Sequence, residues 1–191
     1  YHATGVDVSW FTRADGDGIG KIAGEFAADA TNTSSISGLS STGAGSLATA
    51  AVGLSTAVNR MATDTYMNMT GSSVVSGTSH VSARSDLSTD MIGISGGGSA
   101  TGGAAGFVAV NLIDDKTVLN VTSSDITTDG GNVVEAIGTS TIGSYAGGLS
   151  AEGTGGGNIS VSVSKRTGDV TANVTGSTLY SDGTGAAVKR T

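Results

Sequence analysis

The stretch Phe107-Val-Ala-Val-Asn-Leu-Ile-Asp-Asp-Lys-Thr-Val-Leu-Asn-Val-Thr-Ser-Ser-Asp-Ile126 decides the fold. Its pattern has a period of two, not 3.6: Val118, Asn120 and Thr122 fall on one side, Leu119 and Val121 on the other. The pattern returns twice, in Ser55 to Val74 and in Ser160 to Leu179. The centres Asn68-Met-Thr70, Asn120-Val-Thr122 and Asn173-Val-Thr175 align at offsets of 52 and then 53 residues. Runs of roughly four to seven residues rich in Val, Thr and Ile, punctuated by Gly, Asn and Asp, predict about five short strands per unit. Ser46 to Met61 is the one helical rival. Its equivalents are loaded with Gly and β-branched residues, so it is assigned to strand as well.

Outward from these blocks, each is preceded by a Gly/Ala/Ser-rich lead: Gly38 to Gly53, Gly93 to Gly106 and Gly143 to Gly157. Each lead follows a Ser/Thr-rich approach to an apolar residue, Ile36, Leu87 or Ile142. Behind each block stands a turn signal, Ser76-Gly77, Asp129-Gly130-Gly131 or Asp182-Gly183. Val6-Asp-Val-Ser-Trp10 and the turn Asp15-Gly16-Asp17-Gly18 read as the tail of an earlier unit. The units are then a partial one over 1–33 and full ones over about 34–85, 86–140 and 141–191. No linker or charge run separates them, so 1–191 is expected to be one continuous domain. Hairpins would show Asn-Gly or Asp-Gly turns between neighbouring strands. Only Asp129-Gly130 and Asp182-Gly183 qualify, and both fall at the same phase of the repeat. The fold class expected is therefore all-β, a parallel β-solenoid with about two coils per 52-residue repeat. Seven or so such coils would stack to roughly 35 Å.

The composition agrees with a thin core. Of 191 residues, 32 are Gly, none is Pro or Cys, and only 4 % are aromatic. Without cysteine there is no disulfide framework, zinc ribbon or thiol nucleophile. Missing Pro suits interior strands, which cannot spare an N–H. No apolar run reaches the ~18 residues of a membrane-spanning helix. The start, Tyr1-His2-Ala3-Thr4-Gly5, has neither initiator Met nor signal peptide and reads as the interior of a longer, processed protein.

The phrase Gly96-Gly-Gly-Ser-Ala-Thr-Gly-Gly-Ala-Ala-Gly-Phe-Val-Ala-Val-Asn-Leu-Ile-Asp-Asp-Lys-Thr117, with Ala51-Val-Gly-Leu-Ser-Thr-Ala-Val-Asn-Arg60, resembles the repeat of leukotoxin-type filamentous adhesins. These are very large surface proteins of Gram-negative anaerobes, related in architecture to the filamentous haemagglutinins. The resemblance covers residues from about 34 to 191. It implies a right-handed parallel β-helix shaft, secreted across the outer membrane and displayed on the cell. The third unit departs from it, with Ser162-Val-Ser-Lys165 where Ala-Val-Asn is expected. The family offers no catalytic residues to carry over.

Candidate chemistry is sparse. His2 and His80 are the two histidines, and no Gly-x-Ser-x-Gly nucleophile elbow accompanies them. Asp114-Asp115 pairs two carboxylates that a strand would point to opposite faces, and a solvated loop is the expectation there. Glu25, Glu135 and Glu152 are scattered, unlike the converging acids of β-helix lyases and glycosidases. No enzyme activity and no cofactor are expected. Asp15 and Asp17 form part of an acidic Ca²⁺ loop, but Ile19 stands where a third oxygen ligand belongs, so a plain turn is expected. Asn32, Asn68, Asn120, Asn158 and Asn173 each begin an Asn-x-Ser/Thr pattern. This supports either surface glycosylation or a side-chain ladder along the solenoid, with Asn68, Thr70, Asn120, Thr122, Asn173 and Thr175 as its repeat-equivalent members.

A net charge of −7 argues against nucleic acid, since Lys165-Arg166 and Lys189-Arg190 are isolated basic pairs. The function expected is a non-catalytic shaft segment of an extracellular, cell-surface adhesin. Its partner would be a host or neighbouring-cell receptor or glycan. End-to-end or lateral self-association into a filament is the alternative, and a carbohydrate- or ice-binding solenoid the third. For the last, the Thr70, Thr122 and Thr175 row supplies one regular line of hydroxyls.

Overall fold

The computed structural model describes residues 2–9, 22–46, 51–152, 155–183 and 185–191. They form ten strands: β1 (His2–Ser9), β2 (Ile22–Ser46), β3 (Ala51–Thr70), β4 (Ser73–Ser99), β5 (Gly103–Thr122), β6 (Asp125–Thr128), β7 (Asn132–Glu152), β8 (Gly156–Thr175), β9 (Thr178–Ser181) and β10 (Ala186–Arg190). Every strand pairing is parallel. One sheet runs β1-β3-β5-β8. The other is built on β2, β4, β7 and β10, with β6 and β9 filling in beside the start of β4. The chain alternates between them, so the fold is all-β and made of parallel sheets.

The register fixes the winding. Ala51 to Thr70 pair with Gly103 to Thr122, and these pair with Gly156 to Thr175, without a shift. In the second sheet Ser79 to Ser99 pair with Asn132 to Glu152. One circuit therefore takes 52 or 53 residues, the sequence repeat itself. This corrects two expectations. Each repeat makes one coil, not two, and it holds two long strands, not about five short ones. The four-strand sheet therefore stacks to ~15 Å, while a strand of 20 residues runs ~65 Å.

Glycine is the reason for the misjudged length. Residues read as punctuation lie inside strands, several of them at positions where the two sheets come close together. A Cβ at Gly97 would sit 2.5 Å from the Ala104 carbonyl oxygen, and one at Gly93 would collide with the Phe107 ring. Ser76-Gly77, expected as a turn, is likewise strand within β4. Asp129-Gly130 and Asp182-Gly183 do break the chain, between β6 and β7 and between β9 and β10. They interrupt one sheet and reverse nothing.

The real corners lie elsewhere. Gly71, Ser123 and Gly176, between β3 and β4, β5 and β6, and β8 and β9, all have left-handed φ (60°, 51° and 59°). Ser72 Oγ, Ser124 Oγ and Ser177 Oγ donate to the carbonyls of Thr70, Thr122 and Thr175. The Ser72 and Ser124 N–H groups donate onward to Ser124 Oγ (3.2 Å) and Ser177 Oγ (3.0 Å) in the next winding. Thr-Gly/Ser-Ser is thus a corner motif that stacks.

Between the sheets the core is continuous near these corners, where Met67, Met69, Leu119 and Val121 meet Val74, Val81, Ile126 and Val134. A second cluster joins Met61, Leu87 and Ile113 to Ile36 and Ile142. Ile36 and Ile142 pair with Thr89, not with Leu87, a shift of two residues that keeps all three apolar side chains inward. A third cluster joins Met91, Phe107 and Ala109.

Candidate functional site

The outer face of the first sheet carries the aligned residues. Asn68, Asn120 and Asn173 occupy one row, and Thr70, Thr122 and Thr175 the next but one. Asn120 Nδ2 donates to Asn68 Oδ1 at 2.8 Å, and Asn173 Nδ2 to Asn120 Oδ1 at 3.0 Å. The asparagines form a hydrogen-bonded ladder across three windings. Asn32, by contrast, is buried in the core, and Asn158 donates to the Gly148 carbonyl.

Lower on the same face, Lys116 lies in register between Asp64 and Asp169. With Asp114 and Thr167 these residues line a depression of about 290 Å³. Thr167 Oγ1 donates to Asp114 Oδ1 at 3.2 Å. Among the described residues, no three His, Cys, Asp or Glu side chains converge as a metal site would require. Asp15 and Asp17 lie outside the described residues, and so does the side chain of His2.

Asp115 corrects the expected solvated loop. Asp114-Asp115 is strand within β5, with Asp114 exposed and Asp115 only 1 % accessible between the sheets. Strand geometry puts it there, and its neighbours make the place tolerable. Oδ1 accepts hydrogen bonds from Ser85 Oγ (2.9 Å) and Thr63 Oγ1 (3.2 Å). Oδ2 has no hydrogen-bond donor, and Arg166 Nη2 stands 3.9 Å away. Arg166 itself donates to the Gly138 carbonyl at 3.2 Å. Gly138 and Gly168 leave the space: a Cβ on Gly138 would lie 3.2 Å from Oδ2, and one on Gly168 2.7 Å from the Asp115 carbonyl oxygen. Burial pushes the Asp115 pKa up, against the opposing effects of Ser85, Thr63 and Arg166. The sequence did hold a signal for this cluster. Arg166 falls in the row of Met61 and Ile113, where an inward apolar residue is due.

On the outer face of the second sheet the polar groups pair off. His80 Nε2 and Glu135 Oε1 are 3.0 Å apart, Ser82 Oγ donates to Asp29 Oδ1 at 2.6 Å, and Arg84 Nε to Asp86 Oδ2 at 2.7 Å. Ser82 is bonded to a carboxylate and His80 to another, so the two do not form a nucleophile and its base. No helix among the described residues is long and apolar enough to cross a membrane. Comparison with protein-family models, with curated proteins and with solved structures finds no match for this chain.

Proposed function

We propose that this chain is a non-catalytic shaft segment of a secreted, cell-surface filamentous adhesin, wound as a right-handed parallel β-helix. One observation carries the proposal: a single repeat makes a single winding, in unbroken register across strands of 20 residues. Such a chain lengthens by adding repeats, each burying its inner face on its neighbours, as a stiff spacer requires. The outer rows of Asn, Thr and alternating charge repeat at each rung and suit multivalent contact with a receptor or glycan.

The test uses beads coated with the purified chain on animal-cell monolayers, alongside a glycan array. Retention above uncoated beads, or a consistent glycan signal, supports the adhesive role, and neither signal overturns it. Turnover of a polysaccharide by the same preparation overturns the non-catalytic part. A solved structure with a left-handed connection between the sheets overturns the handedness. A second reading, a self-assembling filament subunit, draws on β8, which among the described residues pairs with β5 alone and leaves its other edge open.

A further inference from the structure

Where the glycine-rich end of β4 meets the start of β5, the normal distribution of side chains is largely inverted. Inward positions there hold Gly53, Gly93, Gly97, Ala105 and Ala109, and the sheets approach to backbone contact. Apart from the inward Met91 and Phe107, the large apolar side chains there point out. On the first sheet Leu54 (73 % exposed), Val58, Ile159 (72 %), Val161 and Val163 form one patch. On the second, Leu39, Ile92, Ile94, Tyr145 and Leu149 form another at the same end. Residues 30–59 and 91–113 carry no charged side chain at all. Each patch gathers five large apolar side chains in exposed positions, a contiguous apolar surface of the kind that marks an interaction site.

We propose that the occupant of each patch is a second copy of this chain, the first-sheet face of one copy packing on the second-sheet face of the next. Charge selects this pairing. The row that closes the patch on the first sheet is basic, with Arg60 and Lys165 flanking Leu112. The row that closes it on the second sheet is Ser37, Asp90 and Gly143, with one acid. Phe107 lies against Gly93, and Ala104 against Gly97, which sets how the sheets align. The two closing rows then stand within about two residues, ~7 Å, of the same depth along the strands. Stacking copies in the same orientation lays apolar face on apolar face and brings Asp90 under Arg60 and Lys165. Packing like faces together would oppose base to base. Each contact uses one face of each copy and leaves one free, so the assembly grows as an open lateral stack.

This goes beyond the shaft proposal and is tested in purified protein with no receptor present, so either can fail alone. The chain has no cysteine, so Val161→Cys and Ile92→Cys each place one thiol, on opposite faces. Circular dichroism identical to the parent establishes that each variant is folded. With a short bismaleimide, the mixture is expected to give at least about tenfold more cross-linked dimer than either variant alone. Asp90→Lys should lower that yield about tenfold, and the further changes Arg60→Glu and Lys165→Glu should restore it. Equal cross-linking of Val161→Cys alone overturns the pairing of unlike faces. A sedimentation mass that stays monomeric up to ~1 mM overturns self-association altogether. Partition into phosphatidylcholine vesicles with loss of the cross-link assigns the patches to lipid and overturns it too.

Discussion

Ser123 holds a φ of 51° at a corner where the windings on either side use Gly71 and Gly176. A side chain in this region costs on the order of 1 kcal/mol, which the adjoining Ser124 hydrogen bonds offset. Ser123→Gly is therefore expected to stabilise the chain by about 0.5–1 kcal/mol, less than the full strain because glycine also loosens the unfolded chain. The change would be read as a shift in urea midpoint at constant slope. Asp115 makes a pH-dependent contribution. Its pKa is raised in the folded protein, so the folded state holds the proton more tightly than the unfolded chain does. That contribution is fully present below the ordinary carboxylate value of ~3.9 and is lost as pH rises through the raised value. Across pH ~4 to 7 the parent should lose stability relative to Asp115→Asn, which keeps an acceptor for Ser85 and Thr63. Parallel urea curves across that range would show a growing gap, and a constant gap would refute the assignment.

Among whole strands, glycines are of two kinds, inward ones such as Gly97 and exposed outer-face ones such as Gly45. At Gly97 a Cβ would meet the Ala104 carbonyl oxygen of the opposite sheet, whereas at Gly45 nothing lies within 4 Å. Gly97→Val is expected to cost about 2 kcal/mol or more by forcing β4 from β5. Gly45→Ala should be neutral or slightly stabilising, and thermal melts of the two variants would separate the cases. The asparagine ladder differs by strand too. Asn120 on β5 takes part in two ladder bonds and Asn173 on β8 in one. Asn120→Ala should cost ~1–2 kcal/mol and Asn173→Ala roughly half that, by the usual worth of such bonds. Denaturant unfolding of both would test the ratio. Strand identity was legible from alternation in Val118 to Thr122. Strand length was not, because Gly in sequence signals a turn and a close approach of two sheets equally well.

For the molecule as a whole, stability should follow position in the stack. Leu119 and Val121 of β5 are fully buried, while Val170, Ala172 and Val174 in the equivalent part of β8 are only partly so. Amide exchange is expected to be slowest in β3 and β5 and markedly faster in β8, and uniform protection would contradict a winding that opens from its outer rung. The 52- and 53-residue offsets between Asn68, Asn120 and Asn173 by themselves determined that equivalent residues stack in parallel, since a period-two pattern repeated at fixed spacing has no cheaper way to bury its faces. They also placed the asparagines in one row, but a hydrogen-bonded ladder further required that one repeat make one winding, so that Asn68, Asn120 and Asn173 lie side by side. Only the tertiary structure decided that one repeat makes one winding, that Asp115 lies inside with Arg166 above it, and that Leu54, Ile92, Tyr145 and Ile159 face out while Met91 and Phe107 face in. Each of these depends on the distance between two sheets. That distance is set by contacts such as Gly93 on Phe107, between residues whose spacing along the chain carries no period.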